Sequence, residues 1–157
     1  MSKKMIWTIV AVVAVLVVVA VVLLLNTEKN VEGTLEEIMT KLYAGIPSEN
    51  LPMMLGNVEL DSENVEYYIG TSKVEYKEAL ASESMVGSIA HSVVLLRTQN
   101  TKTADKAVAE IKENADSKKW ICVEASNFIV KSKGNLVILI MSNETLAPKL
   151  EANFDNL

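Results

Sequence analysis

The feature that most constrains this chain is an apolar run over residues 6–25, which holds no charged residue and one hydroxyl, that of Thr8. A helix rises about 1.5 Å per residue, so this run spans about 30 Å, the thickness of a bilayer's hydrocarbon core. Valine is abundant here, but in lipid every backbone group must bond internally, which favours a helix. The sequence therefore predicts one transmembrane helix, assigned to residues 5–25.

The charges on either side of the run predict its direction. Lys3 and Lys4 precede it, whereas residues 26–33 carry one lysine and two glutamates. The flank of a membrane span that carries more lysine and arginine stays in the cytoplasm. Residues 1–4 are therefore predicted as a cytoplasmic tail, and the C-terminal part is predicted to lie outside the cytoplasmic membrane. A cleaved signal peptide would need an apolar run of about 7 to 15 residues and a small-x-small cleavage site, and neither is present. A retained single-pass anchor is expected.

The remaining composition excludes several classes of function. Once Lys3 and Lys4 are set aside, 13 of the 15 basic residues and all 20 acidic residues remain, a net charge of −7. Arg97 is the only arginine and no basic cluster occurs, so binding to nucleic acid is not expected. Cys122 is the only cysteine, so no intramolecular disulfide can form.

Residues 26–33 are polar and end in glycine, which predicts a linker, and residues 34–157 are predicted as one extracytoplasmic α+β domain. Helices are predicted after a Thr34–Glu37 capping box, from Thr103 to about Ala115, and after Asn143 or Thr145. Strands are predicted near residues 58–60, 65–69, 89–98, 121–124, 128–131 and 136–141. This order predicts an antiparallel or mixed sheet with about three helices, packed mainly on one side.

Four stretches carry a family resemblance: LEEIM at 35–39, VEYYIG at 65–70, IAHSVVLLR at 89–97 and KWIC at 119–122. Over residues 35–157 the chain resembles an uncharacterised family of exported or membrane-anchored Gram-positive bacterial proteins, a domain of unknown function. Many members look like lipoproteins, whereas this chain lacks the lipid-bearing cysteine. The resemblance implies a shared fold but no activity, cofactor or site residue.

The sequence contains few residues that could form a catalytic or metal-binding site. His91 is the only histidine, so sites with several histidines are excluded. It could act as a base for Cys122, or for a serine among Ser82, Ser84, Ser88 and Ser92, but no Gly-x-Ser-x-Gly elbow is present. A hydrogen-bonded structural histidine and a small buried cysteine are the favoured interpretations. No catalytic residue, metal site or cofactor is predicted.

An interaction surface is the remaining hypothesis. Tyr67, Tyr68, Met53 and Met54 are its candidate residues, because aromatic and methionine side chains give large contact energies at interfaces. Ordinary core packing is the competing explanation. The sequence thus favours a membrane-anchored, extracytoplasmic, noncatalytic binding or assembly module.

The partners expected for such a module are the lipid bilayer, through residues 5–25, and an envelope protein or polymer. Self-association stays open. The alternative function is a small cell-envelope hydrolase that uses His91 with Cys122 or a serine.

Overall fold

The computed structural model describes residues 30–157. The predicted cytoplasmic tail, the predicted span at 5–25 and residues 26–29 of the predicted linker lie outside the described residues. The expected location of the domain outside the membrane stays a prediction.

Five strands and four α-helices make up the described chain. In order they are α1 (Leu35–Tyr43), β1 (Leu55–Glu59), α2 (Val65–Ile69), β2 (Glu78–Ser84), β3 (Ser92–Arg97), α3 (Thr101–Asn114), β4 (Asn127–Lys133), β5 (Leu136–Ser142) and α4 (Ala147–Asp155), with a short 3-10 helix at Ser48–Asn50. The strands form one sheet in the order β1-β2-β3-β5-β4. Every neighbouring pair is antiparallel.

The centre of the sheet is covered on both faces. Every residue of β5 is buried, as are five of the six residues of β3, which explains why both strands are continuously apolar. Successive side chains point to opposite faces, so Val94 and Leu96 join a core with α2 and α3, whereas Val93 and Leu95 join a core with α1 and α4. We call these the first face and the second face, respectively.

Local sequence signals explain the elements that were predicted correctly. Thr34 and Glu37 form the capping box at the start of α1, and the Asn100 side chain accepts a hydrogen bond from the Thr103 amide at the start of α3. Gly134, at φ +58°, lies in the turn between β4 and β5. Pro148 lies in the first turn of α4, where a missing amide hydrogen is tolerated.

The predicted fold class is corrected in several respects. None of the helices within residues 30–157 is long and apolar enough to cross a membrane: the longest, α3, has 14 residues, whereas a span needs about 20. There are four α-helices rather than about three. Of the predicted antiparallel or mixed sheet, the antiparallel alternative is the one observed. The helices cover both faces rather than mainly one, because both faces of β3 and β5 are apolar.

Two predicted strands are wrong. Residues 65–69 form α2, since Asp61 Oδ1 accepts hydrogen bonds from the amides of Glu63 and Asn64 and starts a helical turn, which Gly70 ends at φ +77°. Residues 121–124 lie in the connection between α3 and β4, where Cys122 has a positive φ of 62° that a strand does not allow.

Residues 31–33, predicted as part of the linker, are held against the domain. Val31 belongs to the second-face core. The Arg97 guanidinium donates to the carbonyls of Val31 and Gly33, at 2.7 and 2.6 Å, and is paired with Glu78 at 2.6 Å. We call this end of the sheet, where β2 begins and β3 ends, the entry end, and the opposite end the distal end.

Replacing Arg97 with alanine tests this attachment. The loss of hydrogen bonds from a largely buried guanidinium is expected to lower the free energy of unfolding by about 1–3 kcal/mol. Urea denaturation of the full-length protein measures that change, and amide hydrogen exchange of the peptide that contains residues 30–39 is expected to accelerate. Lys149→Ala, at an exposed position of α4, is the control. Equal stability of the two variants would contradict the assignment.

Candidate functional site

The large exposed apolar side chains of the described chain belong to segments that meet at the distal end of the sheet. Five large hydrophobic side chains are exposed by more than half, and we call them the distal rim: Met53 (69%), Met54 (67%), Tyr67 (56%), Met85 (54%) and Ile121 (77%).

Backbone contacts join three rim residues. Met53 and Met54 directly precede β1, and Met85 directly follows β2. The Met85 amide donates to the Met54 carbonyl at 3.0 Å, and the Ser84 hydroxyl donates to the Met53 carbonyl at 2.9 Å. The start of β1 and the end of β2 therefore present these methionines side by side.

A charged pair lies beside the rim on the first face. Lys119 Nζ donates to Glu83 Oε2 at 3.1 Å and to Ser92 Oγ at 3.4 Å, while Trp120 Nε1 donates to Glu83 Oε1 at 2.9 Å. Glu83 follows Ala79 and Ala81 in the alternation of β2, so its carboxylate projects into the first face. The side chains of Lys119 and Glu83 are only 7% and 8% exposed.

Aromatic rings surround the Lys119 ammonium. Its Nζ lies 4.5 Å from the ring centroids of Tyr67 and Tyr68 and 5.1 Å from that of Trp120. Tyr67 and Tyr68, both on α2, meet edge to face with centroids 5.0 Å apart. We call Tyr67, Tyr68, Glu83, Ser92 and Trp120 the Lys119 cage; it combines the π-faces and the acceptors that bind an alkylammonium ion.

The electrostatics of the cage follow from its burial. Burial lowers the pKa of Lys119, and the Glu83 carboxylate opposes that change. Burial, and next the charge of Glu83, raise the pKa of Tyr67 and of Tyr68, so both hydroxyls stay protonated at neutral pH. Glu83 is thus the negative charge that the cage offers to a cation.

A second polar network crosses the opposite face. His91 Nε2 lies 2.8 Å from Tyr43 Oη, and His91 Nδ1 lies 2.8 Å from Ser142 Oγ; Tyr43 Oη also donates to Ser82 Oγ at 3.2 Å. His91 is 1% exposed, and burial lowers its pKa to about 4. His91 directly precedes β3, and its burial and hydrogen bonds are those predicted for it; a noncatalytic role for it stays a prediction.

A groove of about 500 Å³ between α1 and β1 reaches this network from outside. Tyr43 and Ser82 line it, together with Met39, Thr40, Ala44, Leu51, Leu55 and Asn57. His91 and Ser142 lie behind them and do not line the groove. The histidine and its serine are therefore shielded from a molecule bound there.

The structure places the four predicted interaction residues in two groups. Tyr67 and Tyr68 come together in the cage, with Tyr67 exposed and Tyr68 partly buried against the first-face core. Met53 and Met54 are exposed at the same end of the sheet.

The Cys122 prediction is wrong, because this side chain is exposed. Both ring nitrogens of His91 are engaged by Tyr43 and Ser142, so the proposed pair with Cys122 does not form.

The predicted serine partners are engaged elsewhere. Ser82 bonds to Tyr43, Ser84 to the Met53 carbonyl and Ser92 to Lys119, while Ser88 lines a separate depression. Within residues 30–157 no group of three or more histidine, cysteine or acidic side chains converges as metal ligands would.

Sequence reasoning missed Lys119, Glu83, Trp120 and Ser142. Glu83 lies in β2, where residues 79–84 are all buried and an acid therefore requires a buried partner. Nothing near residue 83 in the sequence identifies that partner.

Comparison of the chain with protein-family models, with curated proteins and with solved structures yields no match. The family resemblance therefore stays an expectation.

The buried position of His91 predicts how stability changes with pH. The folded protein holds this ring neutral down to about pH 4, whereas the unfolded chain gains a proton near pH 6.5. Because the unfolded state binds more protons in this window, the His91 contribution to stability is present above pH 6.5 and is lost as pH falls towards 4. At about 1.4 kcal/mol per pKa unit, the loss reaches about 3 kcal/mol.

Urea denaturation between pH 4 and 7 gives the free energy of unfolding of the native sequence and of His91→Gln. The carboxylates titrate in both proteins, so the difference between the two pH profiles isolates the contribution of His91. The Cε1 proton resonance of the single histidine gives an independent measurement. It is expected to stay constant from pH 7 to 5 in the folded protein and to titrate near pH 6.5 in urea. Titration near 6.5 in the folded protein would show that the ring is accessible to water.

Proposed function

We propose that residues 34–157 act as a noncatalytic binding or assembly module, and that the distal rim with the adjoining Lys119 cage is its contact surface. The observation that carries this proposal is that the large exposed hydrophobic side chains of the described residues belong to segments that meet at the distal end of the sheet. The three methionines flank β1 and β2 there, Tyr67 faces Lys119, which is paired with Glu83, and Ile121 follows Trp120, which also bonds to Glu83.

Clustering is what distinguishes the rim from ordinary surface residues. Single exposed apolar side chains are common on monomers, whereas a group at one site is typical of interaction surfaces. The rim combines methionine, tyrosine and isoleucine, and its Tyr67 contacts the ammonium of a buried charged pair. Interface cores are enriched in methionine and aromatic residues, and a buried charge adds specificity for the partner.

The position of the rim also favours a docking role. Residues 31–33 are held at the entry end by Arg97, whereas the rim lies at the distal end. Strands of six or seven residues separate the two ends by about 20 Å. A partner can therefore contact the rim without contacting residues 31–33. The proposal does not depend on which side of a membrane the domain occupies.

Site-specific photo-cross-linking tests the module. With p-benzoylphenylalanine in place of Met85 in the full-length protein, irradiation of the native cells is expected to give a discrete adduct. The same probe in place of Lys102, exposed at the entry end, is the control and is expected to give none. Ile121→Ser is expected to reduce the Met85 adduct several-fold, since this side chain is 77% exposed and its loss removes rim area but little packing.

Two results would contradict the module. One is recovery of the protein alone and monomeric, with no adduct from either position. The other is an equal yield of adducts from both positions, which would show contact without a preferred surface.

The alternative function, a small hydrolase based on His91, has one observation in its favour. The His91 Nδ1 to Ser142 Oγ distance of 2.8 Å is within the reach that a base and a nucleophile need. However, Ser142 is fully buried, His91 is 1% exposed, and neither lines the neighbouring groove. Both groups would have to become exposed before a substrate could reach them, so the binding module is the better supported proposal.

Cysteine labelling separates the two functions further. Cys122 is exposed and has no contact with His91, so its alkylation rate by iodoacetamide is expected to change by less than about twofold in His91→Gln. Free glutathione, measured in parallel, calibrates the reagent. A large fall in the Cys122 rate in the variant would instead support a thiol activated by the histidine.

A further inference from the structure

The Lys119 cage has the composition of a receptor for a cation, and its present occupant belongs to the same chain. The ammonium faces two tyrosine rings at 4.5 Å, an indole at 5.1 Å, a carboxylate at 3.1 Å and a hydroxyl at 3.4 Å. Aromatic faces with one carboxylate are the arrangement by which proteins recognise alkylammonium groups.

The walls of the cage and its occupant are held differently. Tyr67 and Tyr68 lie on α2, Glu83 on β2 and Ser92 on β3, so these four side chains are fixed by regular elements of the first face. Lys119 lies in the twelve-residue connection between α3 and β4, which has no helix or strand and includes the positive φ of Cys122. Four of the five cage residues are therefore held by regular elements, whereas Trp120 and the occupant come from the irregular segment.

Stability alone does not explain the buried pair. Removing two charges from water costs several kcal/mol, and apolar replacements of buried ion pairs are often equally stable or more so. Tyr67, one wall of the cage, is 56% exposed, so the cage adjoins the protein surface on that side. Rotation of the long Lys119 side chain would empty the site while Trp120, 8% exposed in the first-face core, stays in place.

We infer that Tyr67, Tyr68, Glu83, Ser92 and Trp120 form a binding site for an alkylammonium group, and that Lys119 is an exchangeable occupant which a lysine side chain of a partner protein replaces. This inference rests on the proposed docking role of the distal rim, and it names the chemistry of the partner. A lysine fits better than a quaternary ammonium, because the Glu83 and Ser92 oxygens accept N–H hydrogen bonds that a quaternary nitrogen cannot donate.

Exchange in the native sequence is the first test. Tetramethylammonium is a suitable competitor because it cannot itself be acetylated. At about 0.1 M it competes with the Lys119 side chain, which is tethered beside the cage at an effective concentration in the millimolar range or above. The acetylation rate of Lys119 by an N-hydroxysuccinimide ester, followed by tandem mass spectrometry, is expected to rise about fivefold and to saturate, because the displaced amine enters solvent. Lys118, 72% exposed, is the control in the same peptide and is expected to stay constant.

Matched variants and salts make the result specific. Sodium chloride at the same concentration is expected to leave the Lys119 rate unchanged. Tyr67→Phe keeps the ring and is expected to keep the response to tetramethylammonium, whereas Tyr67→Leu removes the ring and is expected to abolish it. Two results would overturn the inference. One is a Lys119 acetylation rate that changes equally with tetramethylammonium chloride and with sodium chloride. The other is an equal response to tetramethylammonium in Tyr67→Phe and Tyr67→Leu.

Direct binding distinguishes the sources of the cation. Lys119→Ala leaves Glu83 without its ammonium partner, and this variant is expected to bind n-butylammonium in a saturable way, monitored by two-dimensional NMR, and not n-butanol. Tetramethylammonium is expected to bind more weakly than n-butylammonium. The reverse order would overturn a lysine partner in favour of a quaternary ammonium. If Lys119→Ala does not fold, acetylation of the native sequence still decides the inference.

The two proposals can fail separately. Rim adducts from the Met85 position without any effect of tetramethylammonium on Lys119 would overturn the ammonium site and leave the binding module. A saturable tetramethylammonium effect without rim adducts would overturn the macromolecular partner, while the cage would remain a cation site.

Discussion

The pairing of β3 with β5 is the constraint on which the rest of this domain depends. Both strands are apolar on both faces, so neither face can be left in water, and helices must cover the two sides. Val94 and Leu96 bring α2 and α3 to the first face, and Val93 and Leu95 bring α1 and α4 to the second. The two-sided arrangement of helices follows from this single pair of strands.

The polar residues at the strand ends are a consequence of the same burial. Ser142 and Ser82 end in the second face, where the neutral imidazole of His91 and the Tyr43 hydroxyl satisfy them. The side chains of Glu83 and Ser92 point into the first face, where the Lys119 ammonium neutralises the negative charge of the Glu83 carboxylate. The two networks solve the same physical problem, but only the one on the first face contains an ion pair.

The ends of the sheet therefore have different characters. At the entry end, a guanidinium holds the backbone carbonyls of Val31 and Gly33 and fixes the start of the domain. At the distal end, the backbone is bonded internally while five large apolar side chains face solvent. Exposed apolar area next to a buried charge is costly for an isolated domain and useful for one that binds a partner.

The sequence by itself determined the elements whose signals are local. The capping box of α1, the cap of α3 and the glycine turn between β4 and β5 each depend on residues within a few positions of one another. The sequence did not determine α2, because five residues fit a helical or a strand period equally well.

Only the tertiary structure decided which residues form the cage. Lys119 and Glu83 are 36 positions apart, and their contact exists because α2, β2 and the segment before β4 meet on one face of the sheet. The sequence identified Tyr67 and Tyr68 by residue type, but the cation beside them comes from packing. Local hydrogen bonds are encoded by spacing along the chain, whereas a buried charge finds its partner only after the core has closed.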